Sequence, residues 1–587
     1  MCGIFGYVGK RPKISSVILN GLKKLEYRGY DSWGISVKNK GILEVEKHTG
    51  KIENARIRLP GSNLGIGHTR WATHGKVTTA NAHPHLDCTG KIALVHNGII
   101  ENFQELKRVL AGKGHIFQSE TDTEVAVHLI EEYVKKDGFA ISVRQAFQKL
   151  KGLNAIVACY APSAEIVAAK NGSPLIVGVG RNEFFIASDA TGIVDNTKKV
   201  VFLNDHQMAI LGMTLKIIQL KNGKQIKPQV TLLDWKFEKA KKGKFKHFLL
   251  KEIHEQPKVI EHIAYNHSSY VKQLAKLVNV AFGTFMVGCG TASYAALAGT
   301  YLFSSVAKKH VNFTIGSEFN YLEDYLTPDS LIVAFSQSGE TIDVIEPVSN
   351  AKRRGAKIAV VVNTLGSTLY RQADYKFLLG AGPEKAVVAT KSFIAKIALL
   401  ILTAHELSDK QSEGKKLLVG AAKNVVEILK KRYVEKIQAL AKELKNVKHI
   451  YLIGRGLSYV SCLEAALKIK ETSYTHAEGF AGGELKHGAI ALIEKGTPCI
   501  VFAPNDETYE AIASNAQELK ARGGFIVGIG PRDNSVFDRF FKTANLKHAT
   551  MIPQIVIAQL LAYHLAISKG ISDPDKPRNL AKSVTVR

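Results

Sequence analysis

Removing Met1 leaves Cys2 with both a thiol and a free α-amine. An α-amine, ordinarily of pKa about 7.7–8.0, takes up a proton near neutrality more readily than a lysine at about 10.4, so such a thiol carries its own base and needs no catalytic histidine. The mature chain is therefore expected to begin at Cys2; alone, this cysteine also fits a small apolar residue destined for burial. A second candidate set is Glu464, Lys468 and Glu471, at i, i+4 and i+7 of a helix-like stretch, Leu463 to Glu471. Two carboxylates flanking an amine on one helical face suit proton transfer, or are a plain surface Glu–Lys pair. A third is Ser336-Gln337-Ser338-Gly339-Glu340-Thr341, directly after the apolar run Leu331 to Phe335. Hydroxyls, an amide and a glycine between strand and helix suit a phosphate, or are an N-cap cluster.

Around Cys2 the sequence supplies Gly3-Ile4-Phe5-Gly6, then Glu26-Tyr27-Arg28-Gly29-Tyr30-Asp31-Ser32, His68-Thr69-Arg70-Trp71-Ala72-Thr73-His74-Gly75, Asn81-Ala82-His83-Pro84-His85 and His96-Asn97-Gly98-Ile99-Ile100-Glu101-Asn102. In this order and spacing the set resembles the glutamine amidotransferases of the N-terminal-nucleophile type, over roughly the first 220 residues. The resemblance implies that Cys2 attacks the side-chain amide of glutamine, forms a thioester and releases ammonia. Such a site needs donors aimed at a developing oxyanion, and Asn97-Gly98 offers a side-chain amide and a backbone N–H. The same dipeptide between Ile92–Val95 and Ile99-Ile100 is also a strong two-residue hairpin signal. Family positions assign the glutamine carboxylate and ammonium to Arg70 and Asp122, with Trp71, Thr73 and His74 completing the glutamine site and Trp71 gating an ammonia channel. Arg70 beside Trp71 also reads as a cation on an aromatic ring. Asp122 also reads as a first-turn acid beside a Thr121/Glu124 capping box.

The elements that must hold these residues exceed one ordinary domain, since 587 residues with 45% hydrophobic content suffice for several cores. The six cysteines, at 2, 88, 159, 289, 462 and 499, form no CxxC pair. Disulfides and structural zinc are not expected, and a reducing cytoplasm is. No secretory pattern follows Met1-Cys2, and apolar runs such as Ile397 to Leu402 are too short to span a bilayer. The net charge of +27, from 79 basic and 52 acidic residues, would suit a nucleic-acid binder. The lysines are dispersed, however, and lack interleaved aromatics. Their densest run, Lys236 to Lys251 and including Lys239, reads as a solvated linker with a general attraction for phosphorylated anions.

Beyond that run the chain repeats itself. Phe285-Met286-Val287-Gly288-Cys289-Gly290 parallels Tyr451-Leu452-Ile453-Gly454-Arg455-Gly456, and Ile358 to Asn363 parallels Phe525 to Gly530. Continuous apolar strands alternating with helices predict two doubly wound α/β domains with buried parallel sheets, whose ligands sit beyond the carboxyl ends of strands. Ser336 to Thr341 resembles the phosphosugar loop of sugar isomerase (SIS) domains, with Cys289-Gly290-Thr291 as its companion. The expected organisation is a glutaminase domain at 2–220 (by resemblance, stacked antiparallel sheets between helices), a linker at 221–260, SIS domains at 275–414 and 441–577, and a tail at 578–587.

Gly482 to Gly488 and the closing Pro577 to Arg587 extend the resemblance to full length, to the isomerising glutamine-dependent aminotransferases that act on fructose 6-phosphate. That resemblance implies channelling of ammonia to D-fructose 6-phosphate, giving D-glucosamine 6-phosphate and L-glutamate, without metal or organic cofactor. It gives Lys582 a Schiff base with the open sugar, Glu471 the proton transfer between C1 and C2, and His487 ring opening, with Lys468 and Glu464 in support. Phosphate and sugar contacts fall to Thr291, Ser336, Gln337, Ser338, Thr341, the Val387 backbone and Ala581. It further implies a homodimer in which His487 reaches the neighbouring subunit's site. Nucleic-acid and membrane partners are not expected. The chain departs from the family pattern at Ala292 and Ala389, each lacking a hydroxyl, and at the bulky Trp33. A sugar-phosphate-sensing protein, or an amidotransferase for another sugar phosphate, are the rival readings.

Overall fold

The computed structural model describes residues 2–233 and 241–584; Lys236 and Lys239 of the basic run and the last three residues of the tail lie outside them. The chain forms two compact units, Met1–Phe237 with Ala581–Arg587, and Glu238–Leu580.

The first unit contains two antiparallel sheets. In the eight-stranded one, Gly3–Val8 lies between Leu64–Arg70 and Phe184–Ala187, and Leu64–Arg70 also pairs with Ser32–Asn39. In the seven-stranded one, Ile92–Gly98 pairs with Asn154–Tyr160. The two-residue period of a strand sorts the side chains. Ile4 and Val8 of the first sheet pack with Ala93, Val95, Ala155 and Val157 of the second, so the sheets lie face to face. Phe5 and Tyr7 point the other way, onto Ile18 and Leu22 of helix Ile14–Leu25. Ile92 and Leu94 likewise face Val127 and Ile130 of helix Glu124–Val134. The result is the expected stack of two antiparallel sheets between helices. Trp33 is accommodated in this core, stacked on His48 across the strand pair with ring centroids 4.5 Å apart.

The second unit contains two five-stranded sheets, parallel throughout. The first runs Asn312–Ile315, Thr284–Gly288, Leu331–Ser336, Lys357–Val362, Tyr375–Leu378. The second repeats the order with His476–Ala481, His449–Gly454, Pro498–Phe502, Phe525–Gly530 and Arg539–Lys542. The repeat extends to backbone detail. Gly290 (φ 54°, ψ −130°) and Gly456 (φ 55°, ψ −132°) open the equivalent helices Thr291–Ser305 and Leu457–Ser473 with the same conformation, a region that only glycine enters readily.

Three expectations need correction. The described residues of 221–260 are not simply a solvated linker. Gln225–Ile226 and Thr231–Leu232 pair into the first unit's sheets, and helix Phe248–Asn266 buries Leu249, Ile253, Ile260 and Ile263 in the second unit's core. The Asp575 carboxylate holds its start by accepting the N–H groups of Phe248 (2.8 Å) and Leu249 (2.7 Å). The helical segment Lys547–Ser568 is long and apolar enough to cross a bilayer, unlike the runs singled out from sequence, because scattered glutamines, a tyrosine and a histidine break its apolar run without adding charge. It is nearly all buried, as a core helix. Finally, Asn97-Gly98 is not a hairpin turn: it ends strand Ile92–Gly98, whose partner strand arrives from residues 154–160.

Candidate functional sites

Cys2 immediately precedes the interior strand Gly3–Val8, on whose start the first site is built. The Trp71 N–H donates to its sulfur (3.3 Å), and the thiol lies 3.6 Å from the Trp71 carbonyl. The Cys2 carbonyl accepts from Arg28 Nε (3.2 Å) and Asn97 Nδ2 (3.0 Å). Asn97 is oriented from its other end, since Oδ1 lies 3.1 Å from His68 Nε2, which is also 3.0 Å from the His96 carbonyl. Two acceptors around Nε2 place the proton there. Burial drives the His68 pKa down to about 3, so the ring is a neutral, fixed donor. It stacks on His83, whose pKa burial also depresses strongly. The Asn97 amide uses one of its two hydrogens on Cys2, leaving one for an incoming oxyanion. Gly98 has φ +140°, and a Cβ there would lie 2.4 Å from the Leu153 carbonyl oxygen, so the position admits glycine alone.

Arg70 is buried and donates to the carbonyls of His74, Gly75 (3.1 Å) and Lys76 (3.2 Å), thereby shaping the loop that carries Thr73 and His74. Burial lowers its pKa, while Cys2, Asp31 and Asp122 act on it as nearby negative or ionisable groups. Trp71 and His74 are half-buried and Thr73 is exposed. Asp122 is buried and accepts the Ile100 N–H at 2.8 Å. It lies two residues before helix Glu124–Val134, and no capping box forms. Thr121 Oγ1 lies 3.0 Å from His85 Nε2, and Glu124 turns back to accept the N–H groups of Gln118 and Ser119. Arg28, His68 and His96, whose Nδ1 meets Thr123 at 2.9 Å, orient this site without having been singled out individually from sequence. Their signal was membership in the same motifs as Cys2's partners.

In the second unit, Thr291 lies just beyond the carboxyl end of Thr284–Gly288, and Ser336 is the carboxyl end of the adjacent parallel strand Leu331–Ser336. Ser336 Oγ lies 2.9 Å from Thr341 Oγ1 and accepts the Gly339 N–H (3.0 Å), while Ser338 Oγ accepts the Glu340 N–H (3.1 Å). The loop is thus preorganised, with helix Ile342–Arg353 behind it. The Gln337 carbonyl accepts the Asn363 N–H (3.1 Å). Lys468 reaches across from the second repeat to donate to Thr291 Oγ1 at 2.9 Å. The Glu464–Lys468–Glu471 face is not a surface pair. Lys468 and Glu464 are fully buried, and the ammonium is 2.5 Å from Glu471 and 3.6 Å from Glu464. Burial pushes the Glu464 pKa up to about 8, leaving it largely protonated at neutrality. Burial opposes the Lys468 charge, but Glu464 and Glu471 together hold its pKa above the ordinary value. The one ammonium therefore lies closest to the half-buried Glu471.

The Val387 N–H donates to the Asp575 carbonyl (2.8 Å). Ala292 is buried at the helix start. His487 ends an exposed turn, Glu484–His487. Ala581 and Lys582 are grouped with the first unit.

The sequence profile of the glutamine amidotransferase domain matches residues 68–195, and that of the SIS domain matches residues 283–406 and 443–569. The chain is 44% identical over 600 residues to the glutamine--fructose-6-phosphate aminotransferase (isomerizing) of Pyrococcus horikoshii, and 42% over 610 residues to that of Thermococcus kodakarensis, covering 100% of each chain. Among solved structures it is similar to the C-terminal domain of glucosamine-fructose-6-phosphate aminotransferase from Francisella tularensis, with 31% identity and a TM-score of 0.53, covering 56% of this chain and 98% of that one.

Proposed function

The chain belongs to the glutamine--fructose-6-phosphate aminotransferase (isomerizing) family, and from that premise we propose that it hydrolyses L-glutamine at Cys2 and uses the ammonia to convert D-fructose 6-phosphate into D-glucosamine 6-phosphate. The observation that carries this reading beyond sugar-phosphate sensing is the Glu464–Lys468–Glu471 set, with Glu464 and Lys468 fully buried and Lys468 joined to Thr291. A module that only binds has no use for it.

In the glutaminase half, the Cys2 α-amine takes the thiol proton as sulfur attacks the amide carbon. The resulting oxyanion is met by Asn97 Nδ2 and the Gly98 N–H. Collapse expels ammonia, protonated in leaving by the α-ammonium, and water cleaves the thioester to L-glutamate. Arg70 holds the substrate carboxylate and Asp122 its ammonium, with Trp71, Thr73 and His74 shaping the pocket and Trp71 gating ammonia. In the isomerase half, Thr291, Ser336, Gln337, Ser338 and Thr341 hold the phosphate, with Val387 and Ala581 against the sugar. Lys582 forms the imine with the open ketose, ammonia replaces it at C2, and Glu471 moves a proton between C1 and C2, its two oxygens serving adjacent carbons. Glu464 and Lys468 position Glu471. His487 opens the sugar ring, contributed within a homodimer to the neighbouring site. A reducing cytoplasm suits the catalytic thiol.

The test is Cys2→Ala. It should abolish glutamine hydrolysis while amination of fructose 6-phosphate by added ammonium salts persists; joint loss of both activities from a folded variant would refute the two-site division.

A further inference from the structure

Outside both sites, the first unit gathers four side chains with no local sequence signature. Cys88 lies in the turn after His85–Leu86, His115 in the loop after helix Phe103–Gly112, and His128 and Glu131 one turn apart on helix Glu124–Val134. Their ligand atoms all lie within 4.8 Å of one another. We propose that Cys88, His115, His128 and Glu131 bind one divalent transition metal, zinc by preference, as a closed structural site in the glutaminase half.

Four of the ligand–ligand distances come close to those around that ion. Cys88 Sγ is 3.7 Å from His115 Nδ1 and 3.6 Å from His128 Nδ1. In a tetrahedron with Zn–S of about 2.3 Å and Zn–N of about 2.0–2.1 Å, a sulfur–nitrogen edge is about 3.5 Å. Glu131 Oε2 is 2.9 Å from His115 Nδ1 and 3.0 Å from His128 Nδ1, slightly inside the corresponding edge of about 3.3 Å.

The surroundings supply an independent argument. Each histidine turns Nδ1 to the centre; His115 Nε2 is hydrogen-bonded to Glu132 (3.1 Å), while His128 Nε2 has Glu124 as a charged neighbour at 3.8 Å, beyond hydrogen-bond reach. At His115 that carboxylate–histidine–metal order fixes the tautomer a ligand needs. Two neutral imidazoles, a thiolate and a carboxylate around a divalent ion sum to zero charge, which suits a place where both histidines and Glu131 are buried. Binding releases the thiol proton and that of any imidazolium present. Cys88 is exposed and gives the ion a way in. Four protein ligands leave no open position, so the role is a staple. It ties the 86–92 turn and the 115 loop to the helix preceded by Asp122.

The test uses the full chain carrying Cys2→Ala, which removes the competing catalytic thiol. After chelator treatment, cobalt should bind at about one equivalent with the visible bands of a tetrahedral ion and a near-ultraviolet thiolate band. Zinc should displace it, raise the thermal midpoint and protect Cys88 from alkylation, read by peptide mass mapping. Cys88→Ser should lose the thiolate band. Weak octahedral cobalt bands, or equal Cys88 alkylation with and without zinc, would overturn the proposal. The alkylation arm needs no change at the site, so it decides the matter even if Cys88→Ser fails to fold.

Discussion

Replacing Glu464 by glutamine should reverse its effect on stability as pH rises. Glu464 is fully buried, its ordinary pKa of 4.5 raised by burial to about 8. Between those values the folded chain keeps a proton that the unfolded chain has released. The wild type therefore loses stability as pH climbs toward 8, by about 1.4 kcal/mol per unit. From pH 5 to pH 8 that amounts to roughly 4 kcal/mol. Glutamine has the same shape and does not titrate, but its amide carries one more donor than a protonated carboxyl into a space where neither Glu464 oxygen has a hydrogen-bond partner. That costs about 1–3 kcal/mol at every pH. Glu464→Gln should thus be the less stable chain at pH 5 and the more stable one at pH 8. Urea unfolding of both chains in parallel at pH 5, 6, 7 and 8 measures the difference. A gap that stays constant, or that moves against the variant as pH rises, would show that Glu464 is ionised and that the charge assignment within the set is wrong.

Gly98→Ala should reduce glutaminase activity by roughly 100-fold or more, the scale of losing an oxyanion donor, because its Cβ cannot coexist with the Leu153 carbonyl; ammonia-dependent synthesis by the same preparation should be spared. Lys582→Arg should keep the positive charge yet abolish amino-sugar synthesis from either nitrogen source, since a guanidinium does not form the imine. Borohydride with fructose 6-phosphate should trap an adduct on wild-type Lys582, and an adduct mapped elsewhere would remove that residue from the mechanism.

Much of this was legible in the chain because the informative residues are contiguous. The strand–glycine–helix units at 284–291 and 449–457 announce themselves through unbroken apolar runs, and the structure repeats their backbone angles. Cys2 and Asn97 are found by motif, but the reason Asn97 points correctly is not. It depends on His68, a neutral ring made so by burial, which no local pattern reports. Glu464 and Lys468 show the same limit: their spacing gives a common helical face, while only tertiary packing decides that the face is interior. The hairpin reading of Asn97-Gly98 failed because turn propensity is local, whereas the strand's partner lies more than fifty residues away. The linker reading failed similarly, since lysine density masked the apolar stripe Leu249, Ile253, Ile260.

The buried helix Met551–Ser568 has a consequence for how the chain is made. Its side chains mingle with those of Leu249, Phe303, Ile397 and Leu452 in one continuous core. It lies C-terminal in the sequence to every other strand and helix of the second unit. Neither repeat of the second unit can therefore close its interior during synthesis, and each waits with an open apolar trench for the same late-arriving piece. The two α/β halves, distinct in sheet topology, therefore share an interior that is completed only once this helix has been made.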